Sequence, residues 1–186
     1  MNTTENPIAI RSKDMLSDAL LTLMTQKSYS EISIGEITKE ADLARRTFYR
    51  LFDSKDELLL YHMKSLWEKE APLLYSHPDR SYQYTSFFHL SFWYKNKELA
   101  FLLYKNNLIG ILFSFIDMIS PDIYKNRKPE SSLIHHPDAF NYALAYSTGG
   151  ALSVIWKWIG LGMKESPAEL MQLFGYAFDI NPSPYA

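Results

Sequence analysis

The chain has no cysteine and no long apolar run, and each absence excludes a class of function. Its 186 residues contain 0 cysteines, so disulfides, thiol catalysis and cysteine-ligated metal sites are excluded. The longest apolar run, LIGILFSFIDMI, contains Asp117 and is too short to span a bilayer. The first residues have no apolar h-region, so we expect no secretory signal. These features predict a soluble cytoplasmic protein with no membrane partner.

The chain also lacks an excess of positive charge, since its formal net charge is -2. This balance argues against a protein that coats nucleic acid, but not against one that touches DNA with a small patch, because phosphate contact depends on local charge. The composition, 47% hydrophobic and 22% charged, is that of an ordinary globular protein with one large domain or two small ones.

Sequence motifs of catalysis and metal binding are missing as well. There is no nucleophile elbow, phosphate loop or dinucleotide fingerprint. His135 and His136 are adjacent in an expected loop, where two side chains do not easily face one ion, and no HxxxH spacing accompanies them. We therefore expect no catalytic residues, no metal site and no cofactor. An all-α enzyme stays a remote alternative, which would need titratable groups converging in a cleft.

Most of the chain has helical periodicity, which predicts an all-α fold. Capping-box spacing marks three helix starts, at Ser33, Ser54 and Ser166, each with Glu three residues later. Prolines, including Pro72 and Pro121, are expected to fall between helices. The predicted helices span 10–27, 34–41, 45–52, 55–71, 82–95, 97–106, 108–119, 138–163 and 167–178.

The segment DLARRTFYRLF, residues 42–52, concentrates three arginines and no acid after Ala44. Two short helices, 34–41 and 45–52, are joined there by three residues, which is the layout of a helix-turn-helix. At about 100° per residue, Ala44, Phe48, Leu51 and Phe52 share one arc, which should pack inward. The opposite arc carries Arg46, Tyr49 and Arg50, flanked by Arg45 and Thr47. Arginine forks match guanine edges and phosphates, so the segment predicts a helix that reads DNA.

The stretch SISIGEITKEADLARRTFYRLFDSKDELL resembles the DNA-binding domain of the tetracycline-repressor (TetR) family of bacterial transcription regulators. The resemblance covers roughly residues 10–60 and implies a bacterial regulator that binds a double-stranded DNA operator. It implies contacts to the DNA backbone from Ser33, Thr47, Tyr49 and Lys55, and base contacts from Arg45 and Arg46. Arg50 is added to the predicted DNA-binding residues only because it lies on the same face of the helix. This chain departs from the family pattern at Asp42, where glycine is usual, at Ala44, where a serine cap is usual, and at Leu51, where histidine is frequent. Asp42 is a candidate cap for the second helix in place of Ala44.

The expected domain order is a helix-turn-helix domain (1–54), a connecting helix (55–71) and a helical regulatory and dimerisation domain (72–186). The C-terminal region YSTGGALSVIWKWIGLGMKESPAEL resembles a region of one branch of the same family, whose C-terminal domains bind a small ligand and dimerise. Its many aromatic side chains mostly predict a core, and some could line an apolar pocket. Our expected pocket residues are Phe88, Trp93, Tyr104, Tyr142 and Tyr146.

A homodimer is expected because one short helix reads a half-site weakly and operators are two-fold symmetric. Helices 138–163 and 167–178 carry more apolar surface than one core needs, so each chain could contribute two helices to a four-helix bundle. The expected interface residues are Gly149, Gly150, Leu152, Trp156, Leu170 and Phe174. The function predicted is a ligand-responsive repressor on a palindromic operator; the alternative is a regulator or co-activator controlled by a protein partner. The sequence names neither the effector, the operator, nor the sign of regulation.

Overall fold

The computed structural model describes residues 6–177, and side chains as far as Leu173. Over this range the chain forms α-helices and no strand, so the predicted all-α fold is confirmed. The helices are α1 (Pro7–Gln26), α2 (Ile34–Glu40), α3 (Arg45–Leu51), α4 (Lys55–Ser76), α5 (Tyr82–Lys95), α6 (Lys97–Lys105), α7 (Ile109–Arg127), α8 (Pro137–Gly160) and α9 (Pro167–Ala177). None of the described helices is both long and apolar enough to cross a membrane.

The chain divides into two compact units, one ending at Leu66 and the other beginning at Trp67. The division falls inside α4, within the predicted connecting helix 55–71. The functional boundaries 1–54, 55–71 and 72–186 stay a prediction.

The first unit is built on the apolar stripe of α1, whose Leu16, Leu20 and Met24 are buried. These residues recur at helical spacing, so one face of α1 meets the core while the other faces solvent. Helix α1 begins at Pro7, three residues before the predicted start. Asn6 accepts a hydrogen bond from the Ile8 backbone N–H, and the following proline suits the first helical position.

Two prolines lie inside helices, which corrects the expectation that they would interrupt them. Helix α4 continues through Pro72 to Ser76, and α7 continues through Pro121 to Arg127. Apolar residues on both sides of each proline are buried: Ala71 and Leu74 in α4, and Ile119 and Ile123 in α7. Their burial offsets the lost backbone hydrogen bond and the ring clash that an interior proline brings.

Helix α8 ends at Gly160, earlier than the predicted 163, because the chain turns there in a left-handed conformation. Gly162 has φ 88°. Its N–H donates to the carbonyl of Ile159, and the N–H of Met163 donates to the carbonyl of Trp158. This pair of bonds is a Schellman C-cap, in which glycine is favoured because it has no Cβ.

The core of the second unit is an aromatic cluster between α5 and α7. The ring of Phe115 lies 5.8 Å from that of Trp93, edge to face, and 6.1 Å from that of Phe92. Both partners lie near the end of α5, whereas Phe115 lies near the start of α7. At the other end, Arg127 of α7 lies over Tyr82 of α5, so the two helices run antiparallel. Tyr124, late in α7, packs edge to face on Phe140, early in α8.

Replacing Pro72 with alanine should stabilise the protein. An interior proline costs about 3 kcal/mol relative to alanine, and about 1 kcal/mol is returned because proline also restricts the unfolded chain. Pro72 is exposed, so no packing is lost. We expect Pro72→Ala to raise the free energy of unfolding by about 2 kcal/mol in urea titrations followed by tryptophan fluorescence.

The matched control is Pro137→Ala, because Pro137 stands at the first position of α8, where proline is well tolerated. This variant should change the free energy of unfolding by less than about 1 kcal/mol. Equal effects of the two substitutions would show that Pro72 is accommodated without cost.

Candidate nucleic-acid interface and cavity

Helix α3 buries its aromatic residues and exposes its arginines. Phe48 is 0% exposed and packs 5.9 Å from the ring of Phe52, which in turn lies 5.5 Å from the ring of Tyr61 on α4. Arg45, Arg46 and Arg50 are exposed on the other side. Leu51 is half-buried, and Ala44 is exposed rather than packed, because it precedes the helix in an extended conformation.

The turn between α2 and α3 is a Schellman motif with an aspartate at its left-handed position. Asp42 has φ 53°. Its N–H donates to the carbonyl of Lys39, and the N–H of Leu43 donates to the carbonyl of Thr38. The suggestion that Asp42 caps α3 is wrong, since α3 has no side-chain cap. The carboxylate lies in the exposed turn instead, and an L-residue is held where glycine is favoured.

The polar side chains of α3 are little constrained by the domain itself. Arg45 makes a long contact of 3.4 Å from Nη2 to the Tyr49 hydroxyl, and Tyr49 is 53% exposed. Over residues 6–173, Arg46 and Arg50 make no side-chain hydrogen bond or ion pair. Thr47 is half-buried beside them. The arrangement offers arginine donors and a phenol to an external acceptor such as a base edge or a phosphate.

Ser33 caps α2 in the predicted capping box. Its hydroxyl accepts a hydrogen bond from the Glu36 backbone N–H at 3.3 Å and donates to the Glu36 carboxylate at 2.8 Å. The Lys27 ammonium, 2.5 Å from that carboxylate, and the Ser33 hydrogen bonds lower the pKa of Glu36 to about 2. The Ser33 hydroxyl proton is therefore engaged, which leaves an exposed oxygen and the start of α2.

Lys55 is held by the domain, a role that its sequence context did not reveal. Its ammonium donates to the carbonyls of Tyr29 at 2.5 Å and Ile32 at 3.0 Å, and lies 4.4 Å from the centre of the Tyr29 ring. Burial lowers the pKa of Lys55. Two of the three ammonium donors are thus engaged, so one is left for a phosphate. The Tyr29 hydroxyl donates to Asp56 at 2.5 Å, and burial raises its pKa.

A cavity of about 80 Å³, partly open to solvent, lies between α5, α7 and α8. None of the five residues expected to line a pocket lines this cavity. Helix α5 contributes a mostly polar stripe, and α7 and α8 contribute further polar residues. The lining includes Tyr82, Thr85, Ser86, His89, Ser120 and Arg127.

The five expected pocket residues have other surroundings. Trp93 is 1% exposed within the aromatic cluster, and Phe88 packs edge to face on Trp67. The ring of Tyr104 packs at a tilt against that of Trp156, with centres 4.8 Å apart, and Tyr104 covers Gly160 so closely that a Cβ there would lie 2.5 Å from its hydroxyl. Tyr142 and Tyr146 are 79% and 87% exposed on α8. The aromatic residues chosen from the sequence therefore lie in the core or on the surface, and not in the wall of the cavity.

A different sequence signal would have found the cavity. Residues 82, 85, 86 and 89 recur at i, i+3, i+4 and i+7, and they are tyrosine, threonine, serine and histidine within an otherwise aromatic helix. A polar stripe at helical spacing, between apolar residues, indicates a helix face that meets something other than a dry core.

The face of α8 that carries Tyr142, Tyr146 and Gly150 is uncovered. Among the described residues, a Cβ built on Gly149 or Gly150 meets no atom within 4 Å, so neither glycine serves a close helix contact there. Leu152, Trp156 and Leu170 are half-buried. Phe174 lies in α9, but its side chain falls outside the described residues.

His135 and His136 are exposed at the end of a short 3-10 turn. Across the described side chains, no three His, Asp or Glu residues come together as a metal site.

Comparison with known families relates the first unit to DNA-binding proteins. The model of the family described as bacterial regulatory proteins, tetR family, matches residues 16–61. The match spans α2, the turn, α3 and the start of α4, and it confirms the resemblance drawn from the sequence. These residues are a helix-turn-helix DNA-binding domain. A comparison with curated proteins found no match.

Substitution of Asp42 should separate backbone strain from charge. Asp42→Gly relieves the left-handed conformation, so we expect the free energy of unfolding to rise by about 0.5–1 kcal/mol. Asp42→Asn removes the charge but tolerates the same conformation, so stability should be nearly unchanged. Both variants should bind duplex DNA more tightly at low salt, because each removes an acid beside the arginines. Chemical denaturation and fluorescence anisotropy with labelled DNA measure the two effects, and a less stable Asp42→Gly would refute the strain argument.

Proposed function

We propose that this chain, a member of the tetR family of bacterial regulatory proteins, is a repressor that binds a palindromic operator as a homodimer and releases it when a small ligand binds. Family membership makes it a DNA-binding transcription regulator. Repression, the dimer and the ligand are the proposed part, together with action in the bacterial cytoplasm.

The exposed basic face of α3 carries the proposal. Phe48 and Phe52 bury one side of the helix, so Arg45, Arg46 and Arg50 project from the other side with Tyr49 and Thr47 between them. A helix of this size fits the major groove, where an arginine fork can bond guanine O6 and N7. Ser33 and Lys55 lie at two helix starts, where backbone N–H groups favour phosphate. We propose that Arg45 and Arg46 contact bases. The DNA backbone is then contacted by Ser33, Thr47, Tyr49, Arg50 and Lys55.

The uncovered face of α8 supports the homodimer. The open glycines allow a second backbone to approach, and Tyr142 and Tyr146 provide apolar area beside them. A two-fold interface formed there, which on the sequence prediction also includes Leu152, Trp156, Leu170 and Phe174, would hold two reading helices at the separation of successive major grooves, about 34–36 Å.

The cavity in the second unit supports control by a ligand over control by a protein partner, which needs no cavity. A ligand can release the operator only if it prefers the conformation that does not bind DNA.

Arginine substitutions test the reading helix. With an operator selected from a random duplex library, Arg45→Ala and Arg46→Ala should each cost about 1–3 kcal/mol and relax preference at one base position. Lys105→Ala, an exposed cation of the second unit, is the control and should have no effect. If neither arginine variant changes affinity or preference, α3 does not read the operator.

Gly150→Leu tests the dimer. Leucine favours the helix over glycine by about 1 kcal/mol, and no atom of the described residues lies within 4 Å of the new Cβ, so the monomer should become slightly more stable. The side chain would block a partner helix, so light scattering should show monomers and operator affinity should fall at least tenfold. Gly110→Leu is the matched control, because Gly110 is an equally open helical glycine away from this face. A Gly150→Leu protein that remains dimeric would place the interface elsewhere.

A further inference from the structure

The cavity between α5, α7 and α8 has two chemically different ends. Arg127, the last residue of α7, lies over Tyr82, the first residue of α5. His89 lies seven residues farther along α5, or about 10 Å along the helix axis. Tyr82 is largely exposed, whereas the His89 ring packs on Trp67 at 5.2 Å. The cavity therefore runs from an arginine at its open end to a histidine at its closed end.

At the open end, the guanidinium is positioned but not satisfied. It lies 5.5 Å from the centre of the Tyr82 ring and 5.7 Å from that of the Tyr124 ring. The Tyr124 ring is itself fixed, since its hydroxyl lies 3.0 Å from that of Ser131. Within the described part of the chain Arg127 has no hydrogen-bond or ion-pair partner, and no residue that lines the cavity is acidic. A half-buried cation between two rings, with free donors, suits an anion.

At the closed end, a buried nitrogen lacks a partner. The Nε2 atom of His89 is inaccessible to solvent and makes no hydrogen bond in the structure. Burial lowers the pKa of His89 to about 4, so the ring is neutral at physiological pH and can donate or accept through Nε2 according to its tautomer. Buried polar atoms are nearly always bonded, and His89 is one of the residues that line the cavity, so its unbonded nitrogen suits a polar partner there.

Three hydroxyls of the cavity wall between the two ends present oxygen acceptors rather than donors. The hydroxyl of Thr85 donates to the carbonyl of Ser81, that of Ser120 to Ile116, and that of Thr148 to Leu144. Their protons are engaged inside their own helices. Among the lining residues, Arg127 is thus the charged donor available for a negatively charged group, and the His89 ring and the hydroxyls of Tyr82 and Ser86 are neutral donors.

The size of the cavity limits the ligand. One water molecule needs about 10–15 Å³ of such space, so about 80 Å³ admits roughly five to eight non-hydrogen atoms.

We propose that the cavity binds a small organic carboxylate of this size, with its carboxylate on Arg127 and a polar atom of its other end on His89 Nε2. The inference rests on the proposed function in taking the cavity as the effector site, and it names the chemical class of the effector.

Three probes of similar size test the charge and the polar end separately: butyrate, butyramide and 4-hydroxybutyrate. Binding is measured by titration calorimetry and protein NMR on the full chain without DNA. Butyrate should bind at least about tenfold more tightly than butyramide, because the hydrogen bonds to Arg127 are charge-assisted. 4-Hydroxybutyrate should bind several-fold more tightly than butyrate, because its hydroxyl reaches toward His89.

Two variants and one control assign the preferences to residues. Arg127→Gln should abolish the preference for butyrate over butyramide. Lys125→Gln removes the same charge from the same end of α7 without touching the cavity, so the preference should persist. His89→Leu should abolish the preference for 4-hydroxybutyrate and leave butyrate binding within about twofold. It should also raise the melting temperature by about 2–4 °C, because it removes an unsatisfied buried nitrogen.

The proposal is overturned if no carboxylate of the set binds, if butyramide binds as tightly as butyrate, or if Lys125→Gln acts like Arg127→Gln. It is also overturned if inorganic phosphate binds more tightly than butyrate, since the site would then be a phosphate site. Operator release is measured separately. If a carboxylate binds and operator affinity is unchanged, this inference is supported. The part of the proposed function in which a ligand controls DNA binding is then wrong. If butyramide releases the operator and butyrate does not, control by a small ligand is retained, but the proposal that the ligand is a carboxylate is overturned.

Discussion

The burial of Phe48 is the interaction on which the DNA-binding surface depends. Helix α3 has seven residues and no side-chain cap, and a helix so short is not stable in water by itself. Its helical form and its orientation therefore come from packing, through Phe48, which is fully buried, and Phe52, whose ring contacts Tyr61. The same packing decides which residues face outward. The arginine side chains of α3 have no defined direction until the aromatic residues on the other side of the helix are fixed.

Lys55 shows how the same side chain can serve both folding and binding. The ammonium satisfies two carbonyls at the ends of the short turn Tyr29–Glu31 and lies over the Tyr29 ring. It therefore ties the start of α4 to the segment that leads into α2. A substitution here removes a donor from two carbonyls as well as a cation from the surface, so a loss of DNA binding would not by itself identify a phosphate contact.

The sequence predicted the features that follow from local periodicity and missed those that depend on tertiary packing. The apolar stripe of α1, the Ser33 capping box and the two arcs of α3 are readable because each repeats within one or two helical turns. Pro72 and Pro121 were misread as breaks, because the burial of Ala71, Leu74, Ile119 and Ile123 that outweighs them comes from other helices. The five residues expected to line a pocket do not line this cavity, for a related reason. Aromatic residues fill space, so Trp93 and Phe115 close the core, whereas the cavity remains where Ser, Thr and His side chains face one another across three helices.

Three departures from local rules coincide with the three proposed activities. Asp42 takes a left-handed conformation beside the reading helix, Gly149 and Gly150 weaken the exposed face of α8, and His89 buries a nitrogen without a partner. Each is unfavourable for folding by up to a few kcal/mol, and a more stable residue exists for each position: glycine, alanine and leucine. Local rules are broken in folded proteins mainly where function requires it. Pro72 breaks a rule equally, but it lies at none of these places, so rule-breaking alone does not identify a site. At Asp42, Gly150 and His89 a second observation is present in each case: exposed arginines, an uncovered apolar face, and a cavity with an unpaired cation at its other end.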